Sequence, residues 1–319
     1  MIFRKLSLPP CFPTLTLHNT HAIFSYYRTE IIGGLLPGTF FVSTGVGAND
    51  AEGAGTDYGQ YGERPCVPSN SAWGGHFSAL DAKSGGGKIF LLDLTGSQVV
   101  TSLYASGFHN PWRMVLASVP PLNTPSLYAV DSGGAGESQD EVNGPIGPLS
   151  SYGWPCFLGT SVVSQFASLL FSPCTSSTLS KQSTPFFISP ARAPGVPGVI
   201  SALAWHPILQ RWFAADALKG VVFSFPATAS TESPQPTTTV HSNFTYAVQL
   251  LYVSPSTLKG VGGGENPSLG AMFAVDIGTG KIKEVPPVFL PAASGAGRPT
   301  LLALVSYTVF CLILVSIAA

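Results

Sequence analysis

One pattern recurs along the chain. An apolar run closes on Asp, a small turn follows, and Gly opens a second apolar run. Phe213-Ala214-Ala215-Asp216 followed by Gly220-Val221-Val222-Phe223-Ser224-Phe225 is one copy. Phe273-Ala274-Val275-Asp276 followed by Gly280-Lys281-Ile282-Lys283-Glu284-Val285 is another. Leu127-Tyr128-Ala129-Val130-Asp131 opens a third copy, ahead of a long polar loop. Phe40 to Gly45 and Gly87 to Asp93 form a fourth, split by a long insertion. A Gly-containing turn between apolar runs predicts a β-hairpin. Met114 to Ser118, Ile200 to Trp205 and Val248 to Val253 are further strand segments. Together they give about eleven strands between residues 39 and 286.

Hairpins repeated at long intervals predict an all-β chain, a β-propeller of four-stranded blades. A β-sandwich is the alternative, but long insertions are accommodated more naturally in loops at blade tops. Eleven strands make only about three blades, and a closed ring needs at least about four. Either strands lie unrecognised in Gly-rich segments, or the ring is incomplete at the N-terminus. The boundaries follow: a poorly defined N-terminal segment (1–30), a propeller (31–286), a linker (287–300) and a hydrophobic tail (301–319).

Composition narrows the class. Only 10% of the 319 residues are charged, with 15 basic and 16 acidic side chains. Such a chain is a poor nucleic-acid binder, because that affinity rests on clustered Lys and Arg. The 35 Gly and 28 Pro rule out coiled coils and long helical arrays. Mean hydropathy is +0.31, and the tail supplies much of it.

Leu301 to Ala319 carries 19 residues without a charge, roughly 28 Å as a helix. That is close to the ~30 Å hydrocarbon thickness of a bilayer. The segment reads as a tail anchor or as a GPI-attachment signal. Ser294, Gly295, Ala296 and Gly297 supply small residues for the latter, although the spacer is shorter than the usual ~8–12 residues. A buried core helix is the bland alternative. The N-terminus has basic residues but is interrupted by Pro9, Pro10 and Pro13, so it does not read as a signal peptide. One reading is that the true N-terminus lies upstream.

Cys156 and Cys174 form a candidate disulfide in an oxidising compartment, with two unrelated buried thiols as the alternative. Asn243-Phe244-Thr245 is an N-glycosylation sequon. It follows a Thr/Ser/Pro-rich stretch, Ala227 to Thr239, that reads as an exposed loop. Tail, sequon and cysteine pair agree on the extracellular face of the plasma membrane or a secretory-pathway membrane.

The densest polar region runs from Tyr104 to Cys156. Gly107 to Trp112 matches G-[LHF]-R-N-P-[QW] except at His109. Asp140 to Asn143 matches D-E-[IV]-N, and Ser151 to Pro155 matches N-Y-G-W-P except at its first position. In order and spacing these motifs resemble the glucose/sorbosone dehydrogenase family. That family consists of six-bladed propellers that typically use pyrroloquinoline quinone (PQQ) and calcium. The segment ending in Pro-Trp-Arg113 also looks like the hedgehog-interacting-protein-like branch, whose members are cell-surface proteins.

The resemblance implies roles for particular residues. His109 stands where the family has an Arg over the quinone, and it lacks the fixed fork of a guanidinium. Asn110 matches the family's cofactor-contacting Asn. Ala135 and Gly136 match the backbone carbonyls that contact calcium, and such ligands need no particular side chain. Asp140 and Glu141 either orient that loop or form a solvated turn. Phe41-Val42-Ser43-Thr44-Gly45 matches the motif after the catalytic base, with Val46 replacing an Asp. Ungapped counting puts Tyr27 at the base position, and His21 is the nearby histidine that could serve. His76, His206 and His241 read as structural or exposed.

Gly262-Gly263-Gly264 reads as a flexible loop, since no phosphate-cradle motif follows. The tryptophans could line a sugar site, although aromatic residues in β-proteins usually belong to the core. Two functions are therefore expected. One is a quinoprotein-type oxidoreductase acting on a sugar or polyol. The other is a non-catalytic cell-surface propeller that binds a carbohydrate or protein.

Overall fold

The computed structural model describes residues 30–46, 78–80, 85–132, 140–159, 161–163, 174, 183–189, 200–216, 221–227, 238–241, 247–254, 257–263, 270–277 and 282–285. The first sheet comprises β1 (Ile31–Gly33), β2 (Thr39–Thr44), β3 (Lys88–Asp93) and β4 (Val100–Ser106). The second comprises β5 (Pro111–Ser118), β6 (Pro125–Asp131) and β7 (Glu141–Ile146). It is completed at its edge by β11 (Phe187–Ile188), while β8 (Ser150–Ser151) lies parallel to β4 on the first sheet. A small ribbon joins β9 (Phe157–Leu158) to β10 (Ser161–Val162). The third sheet runs β12 (Ile200–His206), β13 (Arg211–Asp216), β14 (Val221–Pro226), β15 (Thr238–His241). The fourth runs β16 (Ala247–Ser254), β17 (Thr257–Gly263), β18 (Gly270–Asp276), β19 (Ile282–Val285).

These four sheets are blades of a propeller, and no helix longer than one turn occurs among the described residues. The first strand of each of the middle two blades lies against its neighbour, β5 beside β12 and β12 beside β16. That position explains why every residue of β12 is buried, so its sequence shows no alternation.

The expected hairpins form as read. Phe213 pairs with Ser224 across β13 and β14, and Val275 with Ile282 across β18 and β19. Val42 pairs with Phe90 across the insertion between β2 and β3. About eleven strands is too low for residues 39–286, where the described residues alone form 18. Gly262 and Gly263 belong to strand β17, paired with Ala271 and Gly270, and not to a loop. The Thr/Ser/Pro-rich stretch ends inside β15, which starts at Thr238. The C-terminal tail, the sequon at Asn243 and the N-terminal segment through Thr29 lie outside the described residues. No helix among the described residues is long and apolar enough to cross a membrane.

The blades are glued by two cores. Phe41, Ile89, Phe108, Met114, Leu127 and Tyr152 join the first blade to the second. Tyr128, Val142, Phe187, Trp205, Trp212 and Phe225 join the second to the third. Phe187 stacks on Phe225 with ring centroids 4.0 Å apart, and Tyr128 lies 4.7 Å from Trp212. Trp154, Trp205 and Trp212 are buried, so these tryptophans serve the core and do not line a sugar site.

The registers gather particular residues at one end of the sheets. Thr44 faces Lys88, Lys88 faces Ser106, Pro111 faces Asp131, and Asp131 faces Glu141. Ile200 faces Asp216 in the third blade. At the opposite end the turns expose Leu36, Leu122 and Ile208.

Candidate functional site

The segment Gly107 to Asn110 connects β4 to β5 at the end where these residues gather. Gly107 adopts φ +76°, a conformation that costs glycine little. A Cβ there would fall 2.6 Å from the Gly153 nitrogen. Two backbone bonds fix it: Gly107 N–H donates to the Ala79 carbonyl at 2.9 Å, and Trp154 N–H donates to the Gly107 carbonyl at 2.9 Å.

Asp131, the last residue of β6, supports the next two residues. Its Oδ2 accepts the His109 N–H at 2.9 Å, and its Oδ1 accepts the Asn110 N–H at 2.5 Å. The carboxylate is buried. Burial raises its pKa well above the usual range, and repulsion from Glu141 and Asp140 adds to the effect. The two N–H donors pull the other way.

The His109 ring is 6% exposed. Its Nδ1 lies 2.6 Å from the Ser132 carbonyl oxygen. That oxygen can only accept, so Nδ1 carries a proton. The ring packs at 4.5 Å against Trp154. Asn110 is half-buried, and its side chain lies against Gly45, where a Cβ would stand 2.6 Å from Oδ1. Its carbonyl accepts the Ser132 N–H at 3.2 Å. Ser132 is therefore held from both sides by the His109–Asn110 pair.

Residues 133–139, which include Ala135 and Gly136, fall outside the described residues. The next described residue is Asp140, which is fully buried. Asp140 accepts from Ser132 Oγ at 3.3 Å and from the Ile200 N–H at 2.8 Å. Glu141 is also buried, accepting from the Gly159 N–H and from Asn143 Nδ2. Desolvation pushes its pKa up to about 7, against the lowering effect of those two donors. The alternative that Asp140 and Glu141 form a solvated turn is therefore corrected. Both are interior clasps, and their acceptor oxygens are occupied by N–H and O–H groups.

Val46 is buried with Ala79 and Trp154, and Cys174 packs against this cluster. The position where the resemblance expects an Asp is thus part of an apolar wall. Cys156 and Cys174 form a disulfide beside it. His21 and Tyr27 lie outside the described residues. His206 is buried, and its Nδ1 accepts the Leu209 N–H at 3.1 Å, a structural role. Among the described residues no group of three or more His, Cys, Asp or Glu side chains is placed to hold a metal ion.

Sequence reading missed two supports. Lys88 is fully buried, and its Nζ donates to the carbonyls of Ser78, Ala79 and Gly86 at 2.7, 2.7 and 2.8 Å. The lone signal was its place beside the Gly85–Gly87 turn. Arg113 donates from NH1 to Glu30 Oε1 at 2.7 Å and from Nε to the Ser201 carbonyl at 2.9 Å. The Met114 N–H completes the hold on Glu30. Burial raises the Glu30 pKa, partly offset by Arg113. This bridge joins the second blade to the third through Ser201 and to Glu30, the residue before β1 of the first.

No family model matches the chain, and no curated protein matches it in sequence. Solved structures resemble it in fold. The PQQ-bound aldose sugar dehydrogenase of Streptomyces coelicolor is 16% identical, with 73% of this chain and 56% of that chain covered and a TM-score of 0.43. A glucose dehydrogenase is 12% identical, covering 82% and 65%, with a TM-score of 0.49. A chain of a nidogen/laminin complex is 11% identical, covering 80% and 79%, with a TM-score of 0.39. The chain spans 56% and 65% of the lengths of these two dehydrogenases.

Proposed function

We propose that the chain is a quinoprotein-type oxidoreductase that oxidises a sugar or polyol hydroxyl with PQQ and calcium at the propeller mouth. The supporting observation is the hold of buried Asp131 on the backbone of His109 and Asn110. It fixes the turn while leaving the Asn110 amide half-buried beside Gly45.

The chemistry of the donor set fits these groups. Asp131, Asp140 and Glu141 stand beside the 133–139 segment, where a bound cation would favour their ionised forms against the protonated forms that burial favours. Their oxygens already accept hydrogen bonds, so calcium would be held by the carbonyls of Ala135 and Gly136. Asn110 would contact the quinone through its side-chain amide. When bound, the quinone supplies a two-electron acceptor for the hydride. In this reading His21 takes the hydroxyl proton, and His109 fixes Ser132, the residue before that segment. The disulfide, the sequon at Asn243 and the tail 301–319 support an anchored protein facing the extracellular side or a secretory lumen.

Reconstitution tests this. The protein, titrated with PQQ in the presence of calcium, is expected to bind the quinone and reduce a dye with aldoses. Absence of quinone binding at micromolar cofactor rejects the reading.

One observation favours a second reading, a non-catalytic cell-surface propeller like the hedgehog-interacting branch. The His109 ring is enclosed between Ser132 and Trp154, and Val46 packs in an apolar cluster, so neither presents charge to the mouth. In that case wild type binds no quinone, and His109→Arg gains binding.

A further inference from the structure

The Lys88 side chain carries an observation that neither reading uses. Its Nζ meets three backbone carbonyl oxygens, those of Ser78, Ala79 and Gly86, at 2.7–2.8 Å. A neutral amine has two N–H bonds and cannot donate to all three. The geometry therefore requires the ammonium form. Lys88 is fully buried, so the carbonyls stand in for its water. Rings of backbone carbonyls replace the hydration shell of a bare potassium ion in the same way.

A fourth oxygen lies alongside. The Ser78 hydroxyl is buried and has no hydrogen-bond partner among the described residues. A Cβ on Gly86 would fall 2.5 Å from it, so the hydroxyl lies directly against the segment that supplies one cage carbonyl. The neighbouring Gly85 carbonyl is held by Thr44 Oγ1, which keeps the Gly85–Gly87 turn in place.

The cage touches the candidate site at two atoms. The Ala79 carbonyl accepts from Lys88 and also from the Gly107 N–H at 2.9 Å. The Phe108 N–H donates to the Gly87 carbonyl at 3.3 Å, next to the Gly86 carbonyl bound by Lys88. The cation thus fixes one acceptor of the turn, the Ala79 carbonyl, and the residue next to the other.

We propose that the Lys88 ammonium is a built-in monovalent cation in a carbonyl cage, that it positions the Gly107–Asn110 turn, and that the cage binds potassium or ammonium ion when the lysine side chain is removed. The cage is independent of which ligand the propeller mouth takes, so its test can fail without touching that reading.

The test compares wild type, Lys88→Ala and Lys88→Met in potassium, ammonium and choline chlorides, all at an ionic strength of about 0.3 M. Lys88→Ala opens the space for an ion, whereas Lys88→Met fills it with an uncharged stem. Lys88→Ala is expected to unfold at least about 5 °C higher in potassium or ammonium chloride than in choline chloride. Wild type and Lys88→Met are expected to show no such difference.

Positioning has its own readout, the His109 Nδ1–H proton resonance, assigned by its loss in His109→Gln. It is expected at the wild-type position in Lys88→Ala with potassium and shifted with choline. An equal response of Lys88→Ala to all three chlorides overturns the cage, and so does failure of this variant to fold in potassium chloride. Restored stability in potassium with a His109 resonance that is the same in potassium and choline overturns the positioning role.

Discussion

The Oδ1 of Asp131 lies 2.5 Å from the backbone nitrogen of Asn110, joining the end of one strand to the turn that opens its neighbour. Asp131→Asn removes one of two acceptors and sets an amide N–H against a backbone N–H. A loss of about 1–3 kcal/mol is expected, as for any buried donor left unpaired. Urea unfolding measures it. Asp131→Glu, which keeps the charge but lengthens the arm, should recover only part.

Gly45 offers a change aimed at the site and not at stability. In Gly45→Ala the new Cβ meets Asn110 Oδ1 and swings the amide away. Quinone affinity is expected to fall roughly tenfold, about 1.4 kcal/mol, with little change in unfolding midpoint. Unchanged affinity would remove Asn110 from the binding site.

Glu141 predicts the direction of pH dependence. Its pKa rises from 4.5 to about 7 on folding. The folded protein then keeps a proton that the unfolded chain releases, so this contribution is full below pH 4.5 and fades as pH approaches 7. Asp131 and Glu30 are shifted the same way. Wild type should lose stability relative to Glu141→Gln across that interval. A flat difference between the two urea-midpoint profiles would contradict the burial.

The Glu30–Arg113 bridge should be costly to cut from one side. Arg113→Ala leaves a largely buried carboxylate facing the Met114 N–H alone, and a loss of about 3–5 kcal/mol is expected. The double variant with Glu30→Gln should be less damaged than the two single losses added together. Additive losses would mean that the charges do not interact.

Reduction of Cys156–Cys174 opens a link spanning 18 residues. Loop entropy assigns it about 3 kcal/mol. A matching drop in unfolding midpoint on adding reductant, absent in Cys174→Ser, checks that value.

The sequence revealed strands that alternate or carry an Asp-turn-Gly signal, as in Phe213 to Phe225. It concealed strands whose residues are chosen for another duty. β7 is made of Glu141, Val142, Asn143, Gly144, Pro145 and Ile146, which read as a polar motif, although its first three residues are buried. β17 contains Gly262 and Gly263, and Gly is a poor strand signal. The turn at His109–Asn110 was legible because side-chain types repeat a known motif. Two of its supports were not: Asp131 and Lys88 are charged residues that act from the interior on backbone atoms, and hydropathy assigns such residues to the surface.

Ser132 and Asp140 bracket residues 133–139, Ser132 held by His109 and Asn110 and Asp140 by the Ile200 N–H. Two ends fixed to separate blades therefore bracket this stretch of chain. A graft between residues 132 and 140 is accordingly the most economical way to redesign what this propeller recognises.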